Sequence, residues 1–330
     1  MKINNQEKKV AVAGCKHTTK DLILGLEGRG YKIDHCITID PEKGEEQKVA
    51  GYMDLTPFLK EKGIPYTVAK KYSLKSEEDE KAILNLRLDM LLVMGWQRLI
   101  PDWLLNRLSV GAFGMHGSSK PLPHGRGRSP MNWSLIQGKT EFYTHLFQYL
   151  PGVDDGPIIG VQKFDINQYD TALTLHFKNT SAMIHLCSQH LPALFDGTAT
   201  KTAQPTEGAT YYPKRTAEDG IIHFTDSTTD VYNLIRAVTK PFPGAFCYLN
   251  DDKSQKIMIW RAQPFDTQIP YTGKPGEIID VLYNGMFVVK TSDGTLLVTE
   301  SEGYDFSKKD VGSTLGDLGQ AKKQWENLPE

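Results

Sequence analysis

Lys8-Lys9-Val10-Ala11-Val12-Ala13-Gly14, followed by Thr19-Lys20-Asp21-Leu22-Ile23-Leu24-Gly25-Leu26, decides the fold. The first stretch is a short unbroken apolar run, as in a parallel strand buried on both faces; the second spaces its apolar residues at the helical period. Strand candidates recur at Ile33 to Ile39, at Leu91-Leu92-Val93-Met94 and at Gly111-Ala112-Phe113-Gly114-Met115, separated by helical patterns at 53–61, 76–88 and 101–107. Alternating strands and helices predict an α/β domain built on a Rossmann-like, mainly parallel sheet. The first turn, Gly14-Cys15-Lys16-His17-Thr18-Thr19, lacks the second glycine that lets a backbone approach a pyrophosphate, and no GxxxxGK(S/T) occurs. Both observations argue against NAD binding and P-loop chemistry.

Residues 197–208 are small, polar and rich in turn formers, as a linker would be. Beyond them come a helical pattern at Val231 to Val238 and short strand-like runs at Lys256 to Trp260, Gly276 to Leu282, Met286 to Thr291 and Leu296 to Thr299. The expected organisation is therefore a catalytic α/β domain over 1–204 and a smaller β-rich, OB-like domain over 205–330, closed by a short surface helix within Gly316 to Glu330. The 330 residues carry 38 Lys plus Arg against 40 Asp plus Glu, a net charge of -2 with no basic excess for a nucleic-acid backbone. Four scattered cysteines without a CxxC pair argue against zinc or a disulfide framework and suit a reducing, cytoplasmic setting. No apolar h-region and no run of 18 apolar residues is present, so neither a signal peptide nor a membrane span is expected.

The segment from Gly111 to Trp133 concentrates the chemistry. An apolar strand ends at His116, and a loop rich in Gly, Pro and Arg leads to a helix start at Ser129-Pro130. Ligands of open α/β sheets bind beyond the carboxyl ends of strands, which is where His116 falls. Val153-Asp154-Asp155-Gly156-Pro157-Ile158 is an acidic turn leading into another apolar strand, and an Asp beside an imidazole fixes its tautomer and stabilises its charged form. Each feature alone also fits a plainer reading, a satisfied strand-end histidine and a simple turn. Among the other histidines, His176, His185 and His190 read as helix residues, whereas His145 sits in a strand-like run that faces a possible cleft.

Together these segments resemble the 10-formyltetrahydrofolate-dependent formyltransferase family. The resemblance rests on Gly114-Met115-His116-Gly117-Ser118, on Leu122-Pro123 with Arg126-Gly127, on Pro130-Met131-Asn132-Trp133 and on Asp154-Asp155-Gly156-Pro157-Ile158, in the family's order. It implies that His116 takes the proton of an attacking amine and that Asp154 orients the imidazole. It places the folate against Met94, Trp96, Arg98, Leu99, Val153 and Asp155, with no metal required. The acceptor would meet Ser118, Arg126, Arg128, Tyr212, Lys214 and Arg215, the last pairing with a diphosphate. The family's Asn, two residues before the His, is Gly114 here, so the amide that would hold the formyl oxygen is absent. Asn132, Ser118 and backbone N–H groups of the loop are candidate replacements. The loop between His116 and Arg126 is also longer by two residues.

Family acceptors include initiator methionyl-tRNA, glycinamide ribonucleotide, water and nucleotide-linked amino sugars. The charge balance tips the expectation to a small-molecule nucleotide sugar, a UDP-linked or, second, dTDP-linked 4-amino deoxysugar of surface glycan synthesis, with pseudaminic acid as one destination. A methionyl-tRNA formyltransferase is the runner-up. A catalytically impaired folate or nucleotide-sugar binding protein is the alternative of another class. No nucleic-acid or membrane partner is expected, and a homodimer is left open.

Overall fold

The computed structural model describes residues 8–205 and 207–323. Two compact units emerge: the first comprises residues up to Gly127, Phe142–Phe164 and Phe177–Thr210; the second comprises Arg128–Glu141, Asp165–His176 and the chain from Tyr211 on.

The first unit opens with β1 (Val10–Ala13), α1 (His17–Glu27), β2 (His35–Thr38), α2 (Pro41–Glu46), α3 (Thr56–Lys62), β3 (Tyr66–Val68), α4 (Glu77–Leu84), β4 (Met90–Val93), α5 (Asp102–Leu105) and β5 (Gly111–Ser118). The two-residue β6 (Arg126–Gly127), then β7 (Glu141–Gln148), β8 (Ile158–Asp165) and most of the long α7 (Ala172–Phe195) follow, while α6 (Pro130–Ile136) belongs to the second unit. The sheet runs β3-β2-β1-β4-β5-β7-β8, parallel from β3 through β5 and antiparallel from β5 to β7. Every residue of β1, β2 and β4 is buried, because helices cover both sheet faces. Strand alternation divides the core accordingly. Val10 and Val12 join Leu22 and Leu26 of α1, Leu59 of α3 and Met183 and Leu191 of α7, whereas Ala11 and Ala13 join Ile83 of α4 and Leu104 of α5.

The chain order reverses between β1 and β4, and at such a point loops part to leave a crevice. Gly14 is obligatory there, since a Cβ would lie 2.0 Å from the Met94 carbonyl oxygen. That carbonyl accepts a 2.6 Å hydrogen bond from Thr19 Oγ1, which ties α1 to the end of β4.

The second unit contains α6, β9 (Tyr211–Tyr212), α8 (Thr228–Val238), β10 (Ala245–Leu249), β11 (Lys256–Pro264), β12 (Ile278–Val281), β13 (Phe287–Lys290), β14 (Thr295–Glu302) and β15 (Leu315–Gly316). Its sheet, ordered β12-β13-β14-β11-β10-β15, is antiparallel and curls, helped by bulges in β11 around Arg261. The OB-like β module expected from the turn-punctuated strands is present. Ser227 caps α8 by accepting from Asp230 N at 3.1 Å, and Val231, Ile235 and Val238 form its buried face.

The closing helix expected within Gly316 to Glu330 is absent from its described part. Leu318 and Gly319 have φ of 55° and 72°, and Asp317 Oδ1 accepts from Gly319 N at 2.8 Å. A side-chain turn of this kind competes with helix initiation. Residues 324–330 lie outside the described residues.

Candidate active site

β5 delivers His116 to the sheet's carboxyl edge with its ring 7% exposed. Nε2 donates to the Gly125 carbonyl oxygen at 2.7 Å, and Nδ1 lies 3.3 Å from Asp154 Oδ2. Both nitrogens face oxygen acceptors, so a proton taken up by the ring meets a carboxylate already in place. The Gly125 carbonyl thus covers the Nε2 side of the ring.

Asp154 is held by backbone rather than by chance. Its φ is 51°, a left-handed conformation that Asp tolerates better than most residues. Oδ2 accepts from Gly127 N at 3.2 Å, and its carbonyl accepts from Gln204 Nε2 at 2.7 Å. The same Gln204 amide reaches the Gly156 carbonyl at 2.8 Å, while Gln204 Oε1 accepts from the Arg126 guanidinium at 2.6 Å. Gly156 permits this close turn, because a Cβ would sit 1.7 Å from the Gln148 carbonyl oxygen. Gln204 lies in the stretch that reads as a linker; its polar, turn-rich composition does not reveal that Thr202 pairs with Ile158 and that Gln204 clamps the acidic turn. A long-range clamp of this kind leaves no local signal.

His145, on β7 directly across from His116, is fully buried. A backbone N–H only donates, so Leu122 N donates to His145 Nε2 at 3.2 Å, and Nδ1–H donates to the His116 carbonyl at 3.2 Å. Burial pushes its pKa down to about 4, so the ring is neutral and links β5 to the loop at Leu122. Between pH 6.5 and 4 the unfolded chain takes up a proton that the folded ring refuses, so stability falls as pH falls through that window. The expected loss by pH 4 is on the order of 3 kcal/mol. Denaturant midpoints against pH measure it, and His145→Gln flattens the profile over the same interval.

The remaining residues expected at the folate follow β4 or belong to the acidic turn. Met94 and Trp96 are buried, Leu99 is half exposed, Val153 is half-buried and Asp155 is exposed. Arg98 lies over the Tyr72 ring, 5.0 Å from its centroid, and donates to Gln47 Oε1 at 3.1 Å. Trp96 packs edge-on to Tyr72 with centroids 4.7 Å apart, and its buried Nε1 has no hydrogen-bond partner among the described residues. Ser118 is buried at the end of β5.

The second unit holds Arg128, Asn132, Tyr212, Lys214 and Arg215. Asn132 is buried, and its amide donates to the Ala237 carbonyl at 2.6 Å, which commits it to α8. Arg128 and Lys214 are exposed. Trp133, 1% exposed, donates from Nε1 to Pro213 O at 2.9 Å, stacks on Tyr212 at 6.3 Å and carries the Arg215 guanidinium 4.7 Å above its ring. Burial lowers the Arg215 pKa to about 10, with Asp219 acting in the opposite direction. Trp133, Gln137, Arg215, His223 and Lys323 line a cavity of about 240 Å³ in this unit.

Among the described residues no group of His, Cys, Asp or Glu could hold a metal ion, and no helix is long and apolar enough to cross a membrane. The formyl transferase family matches residues 8–186, over half the chain, and the formyl transferase C-terminal domain matches residues 214–305. The chain belongs to the formyl transferase family.

Solved structures share the fold at low identity. HypX from Aquifex aeolicus, crystallised with tetrahydrofolic acid, superposes with a TM-score of 0.64 at 15% identity, covering 89% of this chain. This chain spans 44% of that HypX chain. An N-formyltransferase from Helicobacter canadensis, in complex with folinic acid and dTDP-3-aminofucose, gives 0.63 at 17% identity over 89% of this chain and all of its own. Methionyl-tRNA formyltransferase from Clostridium thermocellum gives 0.56 at 16% identity, over 91% of this chain and all of its own.

Proposed function

We propose that this formyltransferase moves the formyl group of 10-formyltetrahydrofolate to the primary amine of a nucleotide-linked amino deoxysugar, a UDP-linked 4-amino sugar first and a dTDP-linked one second, for surface glycan synthesis. The observation that carries the reaction is His116 between a carboxylate and a carbonyl at the end of β5. The residues beyond β4 fit a heterocycle with hydrogen-bond acceptors, since Trp96 Nε1 is a buried donor without a partner among the described residues. Folate supplies the formyl group in activated form. As the Gly125 carbonyl withdraws, the His116 ring takes the tautomer whose Nδ1–H donates to Asp154, so Nε2 is free to take the amine's proton and Asp154 stabilises the resulting imidazolium. The same proton then returns to the departing folate nitrogen.

The balanced charge favours a small acceptor over tRNA, and the Helicobacter canadensis relative, covered over its whole length, was crystallised with an amino-sugar nucleotide. Arg215, whose guanidinium is carried on the Trp133 ring, offers a cation for the diphosphate of the acceptor. The test mixes the protein with 10-formyltetrahydrofolate and a panel of UDP- and dTDP-amino sugars, with initiator methionyl-tRNA alongside. A product heavier by one formyl group on a nucleotide sugar is expected. Product on tRNA alone, or ligand binding without any product, overturns the reading.

A further inference from the structure

The glycine two residues before His116 is not simply a missing side chain. Gly114 and His116 point to the same face of β5, and a Cβ built on Gly114 would lie 2.1 Å from Cε2 of Tyr149. The tyrosine ring therefore occupies the space that any side chain at 114 would need. It is fixed there by its backbone N–H, which donates to Ala112 O at 2.8 Å, and by stacking on Phe147 with centroids 5.2 Å apart. Antiparallel pairing sets the register, with Gly114 opposite Phe147, so Tyr149 comes off the end of β7 directly over the glycine.

We propose that Tyr149 is a further catalytic residue, whose hydroxyl donates a hydrogen bond to the formyl oxygen as that oxygen gains negative charge. This assignment rests on the formyltransferase reaction proposed above. As the acceptor nitrogen bonds to the formyl carbon, the carbonyl π pair moves onto oxygen, where the Tyr149 O–H holds it. His116 receives the nitrogen's proton, the oxygen pair re-forms the carbonyl, and the bond to the folate nitrogen breaks as that nitrogen takes the proton from His116. Tyr149 keeps its own proton throughout.

Three further observations suit the role. The hydroxyl makes no hydrogen bond among the described residues, whereas His116 and Asp154 each have theirs. Burial, and secondarily the nearby charge of Asp154, pushes the Tyr149 pKa above its ordinary value, so the phenol stays protonated and able to donate. The ring is locked by packing, as a preorganised oxyanion donor has to be. Asn132, by contrast, has already committed its amide to Ala237.

Tyr149→Phe keeps the ring and its stacking and removes only the hydroxyl. Removing one oxyanion donor typically costs about 10²–10³ in kcat. Steady-state kinetics at saturating donor and acceptor should show a loss of that size, with KM for both substrates and the thermal midpoint unchanged. Gly114→Asn alone should collide with the ring and unfold or inactivate the protein, whereas Gly114→Asn with Tyr149→Ala should exceed Tyr149→Ala alone in kcat, because an amide then occupies the vacated space. Wild-type turnover with an equally fast Tyr149→Phe sinks the Tyr149 role and leaves the transfer reaction standing. A loss confined to KM also sinks it. Wild-type protein that formylates no amine removes the reaction and the role together.

Discussion

His116→Ala should lower kcat for formyl transfer about 10³-fold, within the roughly 10²–10⁴ that a positioned general base supplies. Substrate affinity should hardly change, because the imidazole's partners are the Gly125 carbonyl and the Asp154 carboxylate of its own chain. Asp154→Asn preserves shape and suits the positive φ, since Asn is among the residues that tolerate that region. It removes the charge that stabilises the imidazolium, with an expected loss of about 10²-fold or more. The two residues act as a unit, so the double variant should be little worse than His116→Ala. Single-turnover measurements with labelled formyl donor separate this chemical step from binding. Near-normal turnover by His116→Ala would discard the general-base assignment, and a fully multiplicative double variant would mean that Asp154 acts independently of His116.

The parts of this arrangement that the sequence reveals are those encoded over a few neighbouring residues. An unbroken apolar run ending in His116, a Gly- and Arg-rich loop and a Ser-Pro helix start carry their conformations locally, so strand, loop and helix follow from periodicity and turn chemistry. The acidic turn is visible for the same reason. What escapes is the register between distant strands. Tyr149 is one aromatic among many until the pairing of Gly114 with Phe147 places it over a glycine, and pairing is a property of two segments more than thirty residues apart. Gln204 escapes because a polar residue in a turn-rich stretch looks the same whether it is solvated or clamps two carbonyls. The short β3, half-buried and three residues long, offers too few alternations to separate it from loop. The tail fails in the opposite direction, since its charged composition suits a surface helix while Asp317 and Gly319 close a turn instead.

Trp133→Ala should destabilise the second unit by about 3–5 kcal/mol, the range for truncating a buried large aromatic. Four losses combine at this position. The cavity left by the indole lies under α6, where Trp133 is 1% exposed and its neighbours Asn132 and Ser134 are held by their own hydrogen bonds, which limits collapse. The Pro213 carbonyl loses its donor, and the Tyr212 ring loses its stacking partner. Arg215, already disfavoured by burial, loses the π face beneath its guanidinium and keeps its hydrogen bond to the Asp219 carbonyl. Trp133→Phe retains a ring for Arg215 but not the N–H, so its loss should fall well short of the alanine variant's. Urea unfolding followed by circular dichroism measures both. An alanine variant within about 1 kcal/mol of wild type would show that the site collapses freely, in which case Trp133 could not be the fixed plane that presents Arg215 to an anionic acceptor. If the loss is found, the same variant should raise KM for the nucleotide sugar more than it lowers kcat, because Arg215, held in place by Trp133, would then bind the end of the acceptor that does not react.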